Sequence, residues 1–166
     1  MRPSFLIILI TIISLQRSAS QPGDLQRQIN DQVWKPFIQS FNNGDDDGFA
    51  AVHSKDVIRV IQDGKQILGY NQYFQKVPDS VKSKWGKKKK NIELRFIQRI
   101  AGNDKAFEVG YYKTTSTNLS TGKSFVSYGK FHVLLGKENG IWKILMDADA
   151  SEGTTEAIFQ TGRSME

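Results

Sequence analysis

The chain of 166 residues has no cysteine, only two histidines and only four prolines. Without a thiol there is no disulfide, no cysteine nucleophile and no lipid attachment through sulfur, so stability must come from the core alone. His53 and His132 are the whole histidine supply and belong to no two-histidine motif, so neither a metal nor another cofactor is expected. There is no nucleophile-elbow serine. Gly122-Lys123-Ser124 looks like the end of a phosphate loop, but the first glycine that loop needs is replaced by Thr117. Asp45 to Asp47 lacks the alternating ligands and closing glutamate of a calcium loop.

Long hydrophobic runs are also missing. Phe5 to Leu15 is an apolar stretch of about eleven residues, too short to cross a hydrocarbon layer of about 30 Å as a helix. Arg2 precedes it, and Ser18-Ala19-Ser20 places small residues where a signal peptidase cuts. Residues 1–20 are therefore expected to be a cleaved secretory signal, with Gln21 near the mature start, a secreted or periplasmic location and no lasting membrane anchor. Removing Arg2 and Arg17 with that segment lowers the formal net charge from +6 to +4. The basic run Lys87 to Lys90 has no interleaved aromatics and no RNP-type motif. It reads as a solvated connection, and nucleic acid is not an expected partner.

What is present is a helix pattern followed by a strand pattern. Leu25, Ile29, Val33, Phe37 and Phe41 recur every four residues, with Trp34 and Ile38 beside them. Pro36 inside this pattern predicts a kink near Lys35. Asn42-Asn43-Gly44 ends the helix, and Asp45 or Asp46 caps a second, short one through about Val52. Val57 to Ile61 reads as a strand, followed by an Asp63-Gly64 turn. A third helical segment is expected after Asn71, with Tyr73, Phe74, Val77, Val81 and Trp85 as its apolar side and Pro78 interrupting it. Residues 151–166 look like a loose tail.

Ile92 to Asp149 reads as four strands in two hairpins. Asn139-Gly140 is a two-residue hairpin signal. Counting outward from it pairs Leu135 with Ile144, Val133 with Met146 and Phe131 with Ala148 on an apolar face. His132 with Asp147 and Lys130 with Asp149 then fall on the other face. The same count from Asn103-Asp104 pairs Ile100 with Phe107 and Phe96 with Tyr111 on the apolar side, and Arg99 with Glu108 on the charged side. The apolar faces should pack on the helices.

The helix end Phe37-Ile38-Gln39-Ser40-Phe41-Asn42-Asn43-Gly44-Asp45 and the segment Ser54 to Val60 carry one part of a resemblance. Tyr128 to Leu135 and Gly140 to Asp147 carry the other. Together they resemble the nuclear transport factor 2-like superfamily, in the branch with ketosteroid isomerases and polyketide cyclases, over residues 24–150. The resemblance implies an α+β fold: a cone-shaped roll of about three N-terminal helices packed on a strongly curved antiparallel sheet. It places one domain over 21–150, with an apolar pocket, commonly as a dimer through the sheet. It does not imply an activity, because function resides in sites rather than folds. Laid on this chain, the isomerases' tyrosine position falls on Phe37, their base near Ile61 and their oxyanion aspartate near Gly129. None of the three can do that chemistry.

His132 with Asp147 is the candidate catalytic pair, since a carboxylate opposite an imidazole can fix its tautomer and raise its basicity. His53 is expected at the pocket rim. Arg59 would anchor an anionic ligand if it points inward. Tyr111, Tyr112 and Tyr128 could offer hydroxyls, and Phe37, Phe41, Phe96, Tyr111, Phe131 and Trp142 should converge on one cavity or core. The expected ligand-binding set is thus Phe37, Phe41, His53, Arg59, Tyr111 and Trp142, for a small, partly apolar molecule, neutral or anionic. A binding domain, an acid–base enzyme using His132 with Asp147 or His53, and a homodimeric association module remain the three readings. The direction in which His132 and Asp147 point separates them.

Overall fold

A computed structural model describes residues 22–82 and 87–165; the expected signal segment and Trp85 lie outside the described residues. Helix α1 (Pro22–Ile29) runs through one π-helical turn, Asn30–Trp34, into α2 (Lys35–Asn43). The π turn is the response to Pro36. That residue has no N–H for the Gln32 carbonyl, and its ring would crowd it, so the chain widens and Lys35 N–H donates to the carbonyl of Asn30 instead. Gly44 then takes the left-handed cap, and Asp45 accepts from Gly48 N–H to start α3 (Asp46–Ala51), both as the sequence suggests.

Strand β1 (His53–Ile61) follows, then a short β2 (Gln66–Leu68) that the sequence pattern did not announce. The third helical segment splits into α4 (Tyr70–Tyr73) and α5 (Asp79–Lys82), and Gly69 rather than Asn71 precedes the first turn. Strands β3 (Lys88–Ala101), β4 (Lys105–Asn118), β5 (Ser124–Glu138) and β6 (Ile141–Ala150) complete one open six-stranded sheet in the order β2-β1-β6-β5-β4-β3. The architecture is the expected α+β cone, except that β1 and β6 pair in parallel rather than antiparallel. Lys88 to Lys90 are the exposed beginning of β3, not a connection.

Leu25, Ile29, Val33 and Trp34 bury the helical face against Phe96, Leu135, Trp142 and Ile144, which forms the core. Farther along the same stripe, Phe37 is only half-buried, because the stripe leaves the core there and enters a cavity. Asn42 fastens this end of α2 to the sheet, accepting from Ile92 N–H at 2.8 Å.

Residues 151–165 are not a loose tail. Thr155 caps α6 (Glu156–Phe159), which lies on the convex face of the sheet with Phe159 buried against Tyr128 and Arg95. The chain then turns round the edge strand, where Phe96 and Arg163 exchange backbone hydrogen bonds of 2.8 and 2.9 Å. Beyond it, Asn30 Nδ2 donates to the carbonyl of Met165 on the helical side. The segment straps helix to sheet and covers an edge that would otherwise template pairing with another chain.

Two bulges decide which side chains face inward. On β6 the register steps between Leu134↔Met146 and Leu135↔Ile144, leaving Leu145 unpaired. On β3 it steps between Phe96↔Gly110 and Gln98↔Val109, leaving Ile97 unpaired. Each extra residue turns the strand beyond it over. Leu135–Ile144, Arg99–Glu108 and Ile100–Phe107 pair as counted, whereas Phe96 faces Gly110 and Asp147 faces Val133. The β3 bulge turns Arg99 inward beside Glu108, which is buried on the same face of β4 as Tyr112, while Ile100 points out and is exposed.

Candidate functional site

The cone is not filled. A cavity of about 270 Å³ lies between α2, α3 and the concave face of the sheet. This is near the low end of ligand pockets, roughly 300–1,000 Å³. Its walls are mainly apolar, from Trp34, Phe37, Phe41, Phe49, Leu94 and Phe131. Its polar end gathers Arg59, Tyr73, Tyr112, Asp147 and Asp149.

The β6 bulge and the parallel β1–β6 pairing create that polar end. The bulge turns Asp147 and Asp149 inward, and the register sets Arg59 beside Asp147. The guanidinium bridges the two carboxylates: Nη2 donates to Asp149 Oδ1 at 2.6 Å, and Nη1 lies 3.3 Å from Asp147 Oδ1. Tyr73 donates its hydroxyl to Asp147 Oδ2 at 2.6 Å. Behind Asp147 sits His53. Its Nδ1 is 2.8 Å from the Phe49 carbonyl and so must carry a proton, and its Nε2 is 3.9 Å from Asp147 Oδ2. That distance suits an ion pair when the ring is protonated and is too long for a direct hydrogen bond.

The two carboxylates differ. Burial opposes charge on Asp147, but His53, Arg59 and the Tyr73 hydroxyl together hold its carboxyl below the usual range. Burial prevails at Asp149 and pushes its carboxyl up, against the pull of Arg59. Burial, and then Asp147, push the Tyr73 hydroxyl well up; burial, and then Asp149, do the same to Tyr112. Both phenols are therefore donors at neutral pH. Arg59 remains charged, since Asp147, Tyr73 and Asp149 outweigh its burial. With one guanidinium between two carboxylates, the cluster has no spare positive charge for an anion.

Several expectations need correction. His132 pairs with Ala148 on the convex face, stacked on Phe107 with ring centroids 6.5 Å apart, so the sheet separates it from Asp147 and the two form no pair. Burial and Lys130 push its imidazole down. Tyr111 pairs with Arg95 and Lys130 and does not line the cavity; its neighbour Tyr112 does. Trp142 is fully buried core, not a wall. His53 is buried one layer behind the cavity surface rather than at its rim. Phe37, Phe41 and Arg59 do line the cavity.

Sequence counting missed Asp149, Tyr73 and Phe49 as lining residues. The available signal was Ile144-Leu145-Met146, three apolar residues in a row where a half-buried strand should alternate. Gly129 has a steric role. A Cβ there would come 2.3 Å from the Tyr112 ring and hydroxyl, so the missing side chain is what admits Tyr112 to the cavity.

No family model and no curated protein matches the sequence. Solved structures do match in shape. Aln2 from a Streptomyces species aligns with a TM-score of 0.65 at 12% identity, covering 81% of this chain and 95% of its own. A nuclear transport factor 2-like superfamily protein from Salmonella enterica serovar Typhimurium aligns at 0.62 and 13% identity, over 81% and 96%. A ketosteroid isomerase-like protein from Erwinia carotovora atroseptica aligns at 0.60 and 17% identity, over 81% and 100%. The chain has the nuclear transport factor 2-like fold, an α+β cone with an open pocket.

Proposed function

We propose that the protein binds a small, mostly apolar, uncharged molecule, with one hydrogen-bonding group turned toward Asp147 and Asp149. One observation supports this reading above the others: an aromatic-walled cavity ends in a guanidinium already claimed by two carboxylates. An anionic ligand would meet those carboxylates without a free cation to offset them. A hydroxyl donor would find acceptors.

Two probes of one shape test it. 2-Naphthol should bind, and 2-naphthoate should bind at least about tenfold more weakly, since losing one charge-assisted hydrogen bond is worth ~1.5–3 kcal/mol. Ser127→Phe, which fills the cavity from β5, should abolish naphthol binding. Naphthoate binding as well as naphthol, or an unaffected filled variant, would overturn the assignment.

A second reading, an acid–base enzyme of isomerase, cyclase or dehydratase type, is favoured by the unequal carboxylates. A pair whose environments push their protonation apart is the usual arrangement for dividing acid and base roles. Asp149, with its raised carboxyl and its place on the cavity wall, is then the base, and Tyr73 and Tyr112 are the donors.

The protein is further proposed to be exported and homodimeric. The charge pairs suggested by sequence do not form a partner surface, because Arg99, Glu108 and Asp149 face inward. Instead Ile58, Met146, Leu134, Phe107 and Ile100 stand in register across five strands, forming an apolar row on the convex face. Exported protein should begin near Gln21 and scatter light as a dimer at about 50 μM; retention of residues 1–20, or a monomer mass, would count against each point.

A further inference from the structure

One end of the sheet carries a second surface of different chemistry. Lys87, Lys88, Lys89 and Lys90 are all exposed at the start of β3. Lys123 stands beside them in the β4–β5 turn, since Leu119 N–H donates to the Lys87 carbonyl and Asn118 N–H to that of Lys123. Among the described residues, no ion pair involves any of these five lysines. Two large apolar side chains protrude at the same end, Phe125 at 71% exposure and Leu119 at 57%.

The register relates this end to the cavity. Lys90, Ser116 and Phe125 are direct neighbours across β3, β4 and β5, so they share the concave face with Ile92, Thr114 and Ser127, one step further in, which line the cavity. Lys90 Nζ sits 5.7 Å from the ring centroid of Phe41, another wall residue. A groove lined by Lys88, Lys90, Tyr70 and Phe74 adjoins the cavity, and Phe49 and Tyr73 line both. Asp46 and Asp47 also line this groove, and Lys76 pairs with Asp47.

We propose that this end, with Lys87 to Lys90, Lys123, Leu119 and Phe125, docks the protein on an anionic lipid bilayer with the cavity facing the membrane. Basic side chains ringing exposed apolar ones match such a surface. The lysines are drawn to the headgroup charge, while Phe125 and Leu119 enter the interface. A soluble polyanion would be served by the lysines alone and gives no role to the two apolar residues. Delivery of an apolar ligand from the bilayer into the cavity rests on the binding reading above, but docking itself does not.

The test is co-sedimentation with vesicles of phosphatidylcholine, alone or with about one-third phosphatidylglycerol. The full chain is compared with variants, so the apolar segment Phe5 to Leu15 is common to all. Phosphatidylglycerol should tighten binding about tenfold or more, and about 0.5 M salt should remove that increment. Lys88→Gln/Lys89→Gln/Lys90→Gln should abolish the increment, and Leu119→Ser/Phe125→Ser should reduce it several-fold. Neither set should alter naphthol binding in solution, and Ser127→Phe should still dock, so failure of the cavity reading and failure of docking give different results. An absent increment, or one indifferent to the lysines, overturns the proposal. An increment that needs the lysines but not Leu119 or Phe125, together with equal affinity for heparin, identifies a polyanion site instead.

Discussion

Arg59→Ala is expected to lower the unfolding free energy by about 3–5 kcal/mol at about pH 7, the cost of removing one partner from a buried ion pair. Arg59 is 12% exposed and is the only cation touching both Asp147 and Asp149 among the described residues. Without it, two carboxylates face the same cavity with only His53, Tyr73 and Tyr112 to answer them. The pH dependence that Asp147 contributes should also change sign, while Asp149, whose carboxyl burial already pushes up, keeps its direction. In the native protein the Asp147 carboxyl is depressed, so its contribution is present above the unfolded value and is lost as pH falls through the folded one. In the variant, mutual repulsion and burial raise the carboxyls, so their contribution is present at low pH and is lost as pH rises. The deficit should therefore be clearly smaller at about pH 4.5 than at about pH 7. Urea denaturation at the two values reads this directly. A loss under about 1 kcal/mol, or one equal at both values, would show that Arg59 does not hold the cluster together.

The second large effect is expected at Glu108. Its carboxylate is fully buried where α1, the π turn and the sheet meet. It accepts from Trp34 Nε1 at 2.6 Å and from Arg99 Nε at 3.0 Å, while Arg99 Nη2 donates to Asn30 Oδ1 at 2.6 Å. Burial pushes the Glu108 carboxyl up, and Arg99 and Trp34 act against that shift. Glu108→Leu leaves a guanidinium and an indole N–H without their acceptor and should cost about 3–5 kcal/mol. Arg99→Met added to it removes the stranded charge, so the double variant should recover to within about 1–2 kcal/mol of the native protein. A double variant no more stable than the single would mean that lost packing, not the unpaired charge, sets the cost. Because Arg99 also reaches the Met165 carbonyl, the single variant should expose the C-terminal strap to protease before the sheet opens.

Local chemistry was legible in the residues. The four-residue apolar spacing, Pro36, the Gly44 cap, the Asp45 cap and the Asn139-Gly140 turn each act through their own few neighbours. They are enough for the helix order and the two hairpins; the cone was what the family resemblance implied. What lay beyond reach was every feature that depends on a partner distant in sequence. One unpaired residue on β6 reverses the face of everything after Leu145. It sends Asp147 and Asp149 into the cavity and leaves His132 outside, so a pair that looked catalytic is divided by the sheet. Ile97 does the same on β3, turning Arg99 inward to meet Glu108, so a pair that reads as a surface one is buried. Parallel pairing of β1 with β6 brings Arg59 to the carboxylates of Asp147 and Asp149, 88 and 90 residues away. Turn and cap signals are written in adjacent side chains. Register past a bulge is chosen by which alignment best packs two whole faces, and that energy exists only once the strands are together.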